Sequence, residues 1–223
     1  MEWLIEWLQE LIYTLPAIII ALSFHEFGHA YAAYKMGDPT ARNEGRLTLN
    51  PLAHVDPIGM LMMVIFHFGW AKPVPVNPRN YRSYRKGELV VSLAGVTMNL
   101  LLACIGALLI QVLITTCGIK VFTVGALQKI YLVLYYFVLL NCCLLVFNLL
   151  PIYPLDGFHV AEVLLAKYLG PKPFIFLRKY GNFLLIGIIL LGRTGSFSIV
   201  GIAANAVANG VMGLFGLIFS LFA

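Results

Sequence analysis

The sequence predicts an integral membrane protein of the all-α class, a polytopic helical bundle of five to six transmembrane segments. Hydrophobic residues make up 61% of the 223 residues and charged residues only 11%, whereas soluble domains carry about 25% charged residues. The mean hydropathy is +0.88, and several apolar runs are long enough to cross a bilayer. The net charge of +5 comes from basic residues clustered in a few loops, which fits lipid headgroups and membrane topology better than nucleic acid.

Apolar runs define the predicted spans in chain order. A polar stretch rich in Gly and Pro, 36–57, separates the first span from an apolar run of 13 residues, 58–70. That length favours a re-entrant or interfacial element, a small β-hairpin or short helix, over a full crossing. Five runs are long enough for full spans: about 10–35, 89–116, 125–150, 174–192 and 197–221. A connector that mixes polar and apolar residues follows the third of these runs.

Lysine and arginine residues predict the orientation of the chain. If the first span runs from outside to inside and 58–70 dips in and returns, 12 of the 15 basic residues lie inside. The other three, Lys120, Lys129 and Arg193, lie outside. A full crossing by 58–70 would place the basic loop 71–88 outside, against the positive-inside rule. We therefore expect five full spans plus one re-entrant element, which places the HEFGH and PLDG stretches at the same depth on the inner side.

Two histidines and a glutamate lie within the first span, in the stretch ALSFHEFGHAYAAY. His25 and His29 are four residues apart, so on a helix they share one face and both imidazoles can reach one metal ion. Glu26 points away from that face but can reach a water molecule beside the metal, as the general base of an HExxH motif does. Two core histidines with satisfied hydrogen bonds are the alternative, yet ionisable residues are costly in a bilayer and are usually functional there.

A third metal ligand is expected at the same depth as the two histidines. Asp156, in the helix-breaking stretch NLLPIYPLDG, is the best placed candidate, although an aspartate in an ordinary turn is common. His159, three residues further on, is a rival ligand or a residue that supports the ligands from behind. His54 and Asp56 form another possible pair, within a predicted loop.

Five stretches together resemble the motifs of the site-2 proteases, which are intramembrane zinc metallopeptidases. They are HEFGH, GRLTLNPLAHVDPIG, GWAKPVPVNP, SLAGVTMN and NLLPIYPLDG, within about residues 20–160. The resemblance implies one zinc ion held by His25, His29 and Asp156, with Glu26 as the general base. It also implies cleavage of a transmembrane segment of a protein substrate. Many members of this family carry a PDZ or CBS module, for which this compact chain has no room.

Further residues are candidates for substrate contact. By the same resemblance, Asn99 and Asn148 could hold the substrate backbone or the oxyanion, with interhelical hydrogen bonding as the alternative. The stretch GRLTLN alternates like a β-strand, and KPVPVN is predicted to be extended because of its prolines. A strand edge containing Val74 and Val76 could capture an unwound substrate by β-augmentation. A structural hairpin without a substrate role is the alternative.

The sequence thus predicts an intramembrane zinc metalloprotease with a single membrane domain over 1–223. The catalytic core is expected at about 10–160, with two additional transmembrane helices in 161–223. Regulated intramembrane proteolysis or clearance of signal-peptide remnants would suit it, in a prokaryotic cytoplasmic membrane with the active site toward the cytoplasm. Expected partners are the substrate segment and membrane lipids, and no motif indicates the oligomeric state. The alternatives are a metal transporter, or a catalytically silent relative that binds membrane helices.

Overall fold

The computed structural model describes residues 2–66, 69–193 and 199–221, and regular structure in these ranges is helical. The prediction of an all-α protein is confirmed. Nine α-helices lie within the described ranges: α1 (Glu2–Met36), α2 (Thr40–Asn43), α3 (Pro57–Phe66), α4 (Tyr84–Cys117), α5 (Lys120–Thr123), α6 (Gly125–Asn148), α7 (Asp156–Leu169), α8 (Lys172–Arg193) and α9 (Ile199–Ser220).

Five helices of the described chain are long and apolar enough to cross a membrane, as predicted from the five apolar runs. The α3 helix has 10 residues and is about 15 Å long, half the thickness of a bilayer's hydrocarbon core, so it is too short to cross. The spans are Leu11–Met36, Tyr84–Cys117, Gly125–Asn148, Lys172–Leu191 and Ile199–Ser220.

The β-hairpin predicted beside α3 is not confirmed. An isolated antiparallel bridge joins Val55 to Ala71. Residues 45–50 contain a turn and a bend, and residues 72–77 lie outside any ladder that the structure describes. Pro73 and Pro75 explain the missing ladder on that segment, because a proline has no backbone N–H to donate. The mixed connector expected after α6 contains the helix α7.

The α4 helix is the centre of the bundle and contacts α1, α6, α7 and α9. Small buried residues make this close packing feasible. A Cβ atom built at Gly106 would lie only 2.8 Å from Val138 Cγ2 on α6. The main apolar cluster joins Ala103 and Ala107 of α4 to Cys142 of α6 and Ala208 of α9. The same helix also packs against α1 and α7, the two helices that contain the candidate metal ligands.

Residues 72–77, which we call the strap, return the chain from α3 toward α4. Buried charged side chains hold both ends of the strap. Arg46 Nη2 donates to Lys72 O at 2.7 Å, and Asp38 Oδ2 accepts from Asn77 N at 2.6 Å. Burial opposes ionisation of Asp38, but hydrogen bonds from Asn77, Thr40 and Asn80 hold the pKa of its carboxyl below the usual value. The strap is therefore tethered to the chain just after α1.

Candidate metal centre

Three side chains from α1 and α7 converge on one point beside a cavity. The Nε2 atoms of His25 and His29 are 3.0 Å apart. Asp156 Oδ2 lies 3.4 Å from the first and 3.3 Å from the second. Nitrogen and oxygen ligands about 2.0–2.1 Å from a tetrahedral zinc ion are about 3.3 Å from one another. The triangle formed by the three atoms has the size that this coordination requires.

The hydrogen bonds behind the histidines determine which ring nitrogens face the centre. His29 Nδ1 lies 2.8 Å from Val91 O, and His25 Nδ1 lies 2.7 Å from Asn99 Oδ1. A carbonyl oxygen can only accept, so each Nδ1 donates its proton and each Nε2 of the neutral rings presents a lone pair. Asp156 Oδ2 is buried without a hydrogen-bond partner. Three electron pairs thus meet with no donor between them, an arrangement suited to a metal cation.

Gly95 on α4 leaves the space in which the two imidazoles meet. A Cβ atom built at this position would lie 2.6 Å from His25 Cε1 and 2.7 Å from His25 Nε2, and it would also collide with His29 Nε2. Real Cβ contacts are almost never that short. A side chain here would therefore enter the space enclosed by the candidate ligands.

Glu26 lies beside this centre and is held by the strap. Its Oε2 accepts a hydrogen bond from Val74 N at 2.8 Å. Val74 has a backbone N–H to donate, whereas its neighbours Pro73 and Pro75 have none. Its side chain packs in a buried cluster with Ala30 and Ala41. The carboxylate of Glu26 therefore has a defined position next to His25.

A cavity of about 310 Å³ opens onto these groups. It is polar at the metal centre and apolar along the strap. Its lining comes from α1, the strap, the start of α4 and the turn before α7: His25, Glu26, His29, Pro73, Val74, Val76, Pro78, Tyr81, Glu88, Val91, Ser92, Asn148, Pro154, Asp156 and His159.

Three of the four residues predicted to contact the substrate line this cavity, and the fourth, Asn99, does not. Val74, Val76 and Asn148 line it, and Asn148 Nδ2 also donates to Leu144 O of its own helix at 3.0 Å. Asn99 is 0% exposed and makes its hydrogen bonds behind His25. Asn99 is not among the residues that line the cavity, and its predicted contact with the substrate stays a prediction.

The other candidate ligands lie apart from the centre. His159 Nδ1 is 3.7 Å from Glu88 Oε2, and burial together with the nearby Arg178 lowers the pKa of its ring. His54 Nε2 lies 2.8 Å from Thr48 O, while Asp56 Oδ1 accepts from Gly59 N at the start of α3. Among the residues that the structure describes, the single His, Cys, Asp or Glu group able to hold a metal ion is the one formed by His25, His29 and Asp156.

Two polar residues of the site were missed by the sequence reasoning. Asn141 of α6 is 0% exposed, and its Oδ1 accepts from Asn99 Nδ2 at 3.1 Å. Glu88 lines the cavity next to His159. For Asn141 the available signal was a polar side chain inside an apolar helix, which is costly unless it has a partner. Glu88 lies in the polar first turns of α4 and gave no such signal.

Comparisons with known proteins identify the family of the chain. The family model of Peptidase family M50 matches residues 13–192. "Putative zinc metalloprotease YwhC" of Bacillus subtilis (strain 168) is 37% identical over 210 residues, which cover 93% of this chain and 92% of that protein. Two proteins named Rip2, described in the same words, are also similar. The Rip2 of Mycolicibacterium smegmatis is 29% identical over 187 residues, 81% of this chain and 67% of its own length.

The Rip2 of Mycobacterium tuberculosis (strain H37Rv) is 29% identical over 188 residues, 81% of this chain and 66% of its own length. No solved structure matches this chain. The match to the family model covers most of the chain, and the YwhC relative is similar over nearly its whole length. The chain is an integral membrane metalloprotease that belongs to Peptidase family M50, the site-2 protease family of zinc enzymes.

Proposed function

We propose that the protein hydrolyses peptide bonds within transmembrane segments of other membrane proteins, with one zinc ion held by His25, His29 and Asp156. One observation carries this proposal: two imidazole lone pairs and an unpartnered carboxylate oxygen converge inside a membrane-spanning bundle. A zinc ion bound there would polarise a peptide carbonyl and lower the pKa of a water molecule. The cavity beside these atoms could hold both reactants.

Glu26 is the proposed general base. The Val74 amide engages one carboxylate oxygen, Oε2, and so orients the carboxylate while its second oxygen can take a proton from the attacking water. Glu26 then delivers the proton to the leaving amine. Asn148 lines the same cavity and is the proposed donor to the oxyanion, for which a side-chain amide is a typical group.

The strap is the proposed docking edge for the substrate. A transmembrane helix must unwind before its amides can be attacked, and an extended segment beside the cavity can pair with the unwound chain. Val76 is 38% exposed and lines the cavity, whereas Val74 is only 8% exposed. Val76 is therefore the better position for a test, because a charge at Val74 would disturb a packed cluster.

We expect Val76→Asp to reduce cleavage of a transmembrane peptide by raising KM, with zinc content unchanged. Leu52→Asp is the matched control, since Leu52 is 83% exposed and lies outside the cavity lining. Cleavage by Val76→Asp at the control's rate would rule out the docking role while leaving the proposed hydrolysis intact.

The proposed location of the site is near the cytoplasmic side of a prokaryotic membrane. His25 and His29 lie in the last third of α1, and by the positive-inside rule the basic loop 71–88 is expected at the same, cytoplasmic side. Regulators anchored in the membrane and signal-peptide remnants are the proposed substrates. The catalytic core is proposed at about 10–160, with two additional helices in 161–223.

The central experiment compares wild type with Glu26→Gln. The amide should leave zinc content unchanged and lower the rate of cleavage of a synthetic transmembrane peptide by about 10²–10⁴-fold, because Gln cannot accept the proton. Glu44→Gln is the control, since Glu44 is exposed and is not among the residues that line the cavity. Equal cleavage by wild type and Glu26→Gln would overturn the proposed function.

A further inference from the structure

A chain of buried amides runs behind His25 through two other helices. Asn99 of α4 and Asn141 of α6 are both 0% exposed. Asn141 Nδ2 lies 2.9 Å from Phe137 O, one turn earlier in α6. Asn141 Oδ1 lies 3.1 Å from Asn99 Nδ2, and Asn99 Oδ1 lies 2.7 Å from His25 Nδ1. The chain therefore connects the backbone of α6 to the ring of a candidate zinc ligand on α1.

The direction of every hydrogen bond in this chain follows from its far end. Phe137 O is a carbonyl and can only accept, so the amide nitrogen of Asn141 must face it. Asn141 Oδ1 then faces Asn99 and accepts from its Nδ2. The second N–H of Asn99 points toward Ala21 O at 3.4 Å, so Asn99 Oδ1 is the atom left for His25. That oxygen requires a proton on His25 Nδ1, and the lone pair is then on Nε2.

We infer that Asn141 is a positioning residue of the metal centre, acting through Asn99 to select the tautomer of His25. Without the acceptor at Asn141, the Asn99 amide can rotate by half a turn and present Nδ2 to His25 Nδ1. The ring would then carry its proton on Nε2, where it blocks metal binding. This inference rests on the proposed zinc ligands, and it assigns a function to a residue that touches neither substrate nor metal.

A double-mutant cycle on the full-length chain tests this inference. Zinc affinity is measured by competition with a chelator for wild type, Asn141→Leu, Asn99→Asp and the double variant. Asn141→Leu should weaken zinc binding by about 10–100-fold, the usual effect of losing the group that orients a histidine ligand. When Asn99→Asp is already present, the same change should have little effect, because an ionised carboxylate has no N–H and accepts from His25 in either orientation.

The control for this cycle is Asn205→Leu on α9. Asn205 Nδ2 makes the same type of bond to a carbonyl one turn earlier, Gly201 O at 2.9 Å, but Asn205 is exposed. Its replacement should leave zinc affinity unchanged. Asn141→Ala is carried through the same cycle, so that the result does not depend on the folding of a single variant.

Two results would overturn the inference. Wild-type zinc affinity in Asn141→Leu and Asn141→Ala would show that Asn99 keeps its orientation alone. An equal loss of affinity with and without the Asn99→Asp substitution would show that Asn141 serves only to pack α6 against α4. Neither result affects the proposed function, which fails separately if wild type binds no zinc or if Glu26→Gln still cleaves.

Discussion

The two histidines of the metal centre lie on one helix, four residues apart, yet the protein orients them by different means. A backbone carbonyl, Val91 O, holds His29, whereas a side-chain amide, Asn99, holds His25 and is itself held by Asn141. A carbonyl is present whatever the residue at position 91. An amide is present only if the sequence supplies it. Substitution of Val91 should therefore leave His29 oriented, whereas substitution of Asn99 should disturb the orientation of His25.

The pairing has a simple geometric origin. Val91, Gly95 and Asn99 follow one another at intervals of four residues on α4, so they form one stripe of that helix. The earlier histidine meets the later residue of the stripe, as expected for α1 and α4 running in opposite directions. Gly95 lies between the two contacts, where the absence of a side chain leaves room for both rings.

The largest effect is expected from Gly95→Val, which would displace both histidine rings at once. The new side chain would occupy the space between His25 and His29, since a Cβ alone comes within 2.7 Å of His25 Nε2. Zinc affinity should fall by more than about 100-fold, beyond the loss typical of one orienting group. Chelator competition measures this loss.

Gly106→Ala is the control for that substitution. It introduces a Cβ at another tight position of α4, 2.8 Å from Val138 Cγ2, and should lower stability without weakening zinc binding. Zinc affinity in Gly95→Val similar to that of wild type would contradict the arrangement of ligands described above.

An intermediate effect is expected from Asn99→Leu, which removes the hydrogen bond that orients His25 and leaves that of His29 intact. Loss of the acceptor at His25 Nδ1 should weaken zinc binding by about 10–100-fold, whereas Asn99→Asp should retain it. Both variants are compared with wild type by zinc titration and by thermal unfolding of the metal-free protein. If Leu and Asp at this position bind zinc equally well, the Asn99 amide does not orient His25.

The smallest effect on zinc binding is expected from Val91→Ala. The carbonyl that holds His29 remains, so the affinity should stay within about threefold of wild type. The lost packing of a buried side chain should still cost roughly 1–2 kcal/mol of stability. A loss of affinity as large as that of Asn99→Leu would show that the two histidines are held alike.

Much of the site could be predicted because it depends on the period of the α-helix and on the cost of placing ionisable groups in lipid. Spacing alone places His25 and His29 on one helical face, and the cost of a charge in lipid marks Glu26 as functional. Asp156 could be proposed because topology brings its stretch to the same depth. Asn141 was missed, since its partner Asn99 is 42 residues away in the chain and no periodic pattern connects positions so far apart.

The sequence by itself determined the membrane class, the five spans and the HExxH face, because hydrophobic length and helical period act locally along the chain. Only the tertiary structure decided what surrounds that face. The strap lies outside any β-ladder that the structure describes, because its alternate prolines have no N–H to donate and the Val74 amide binds Glu26 instead. The direction of each hydrogen bond behind His25 depends on which carbonyls three helices bring together, and that is a property of their packing.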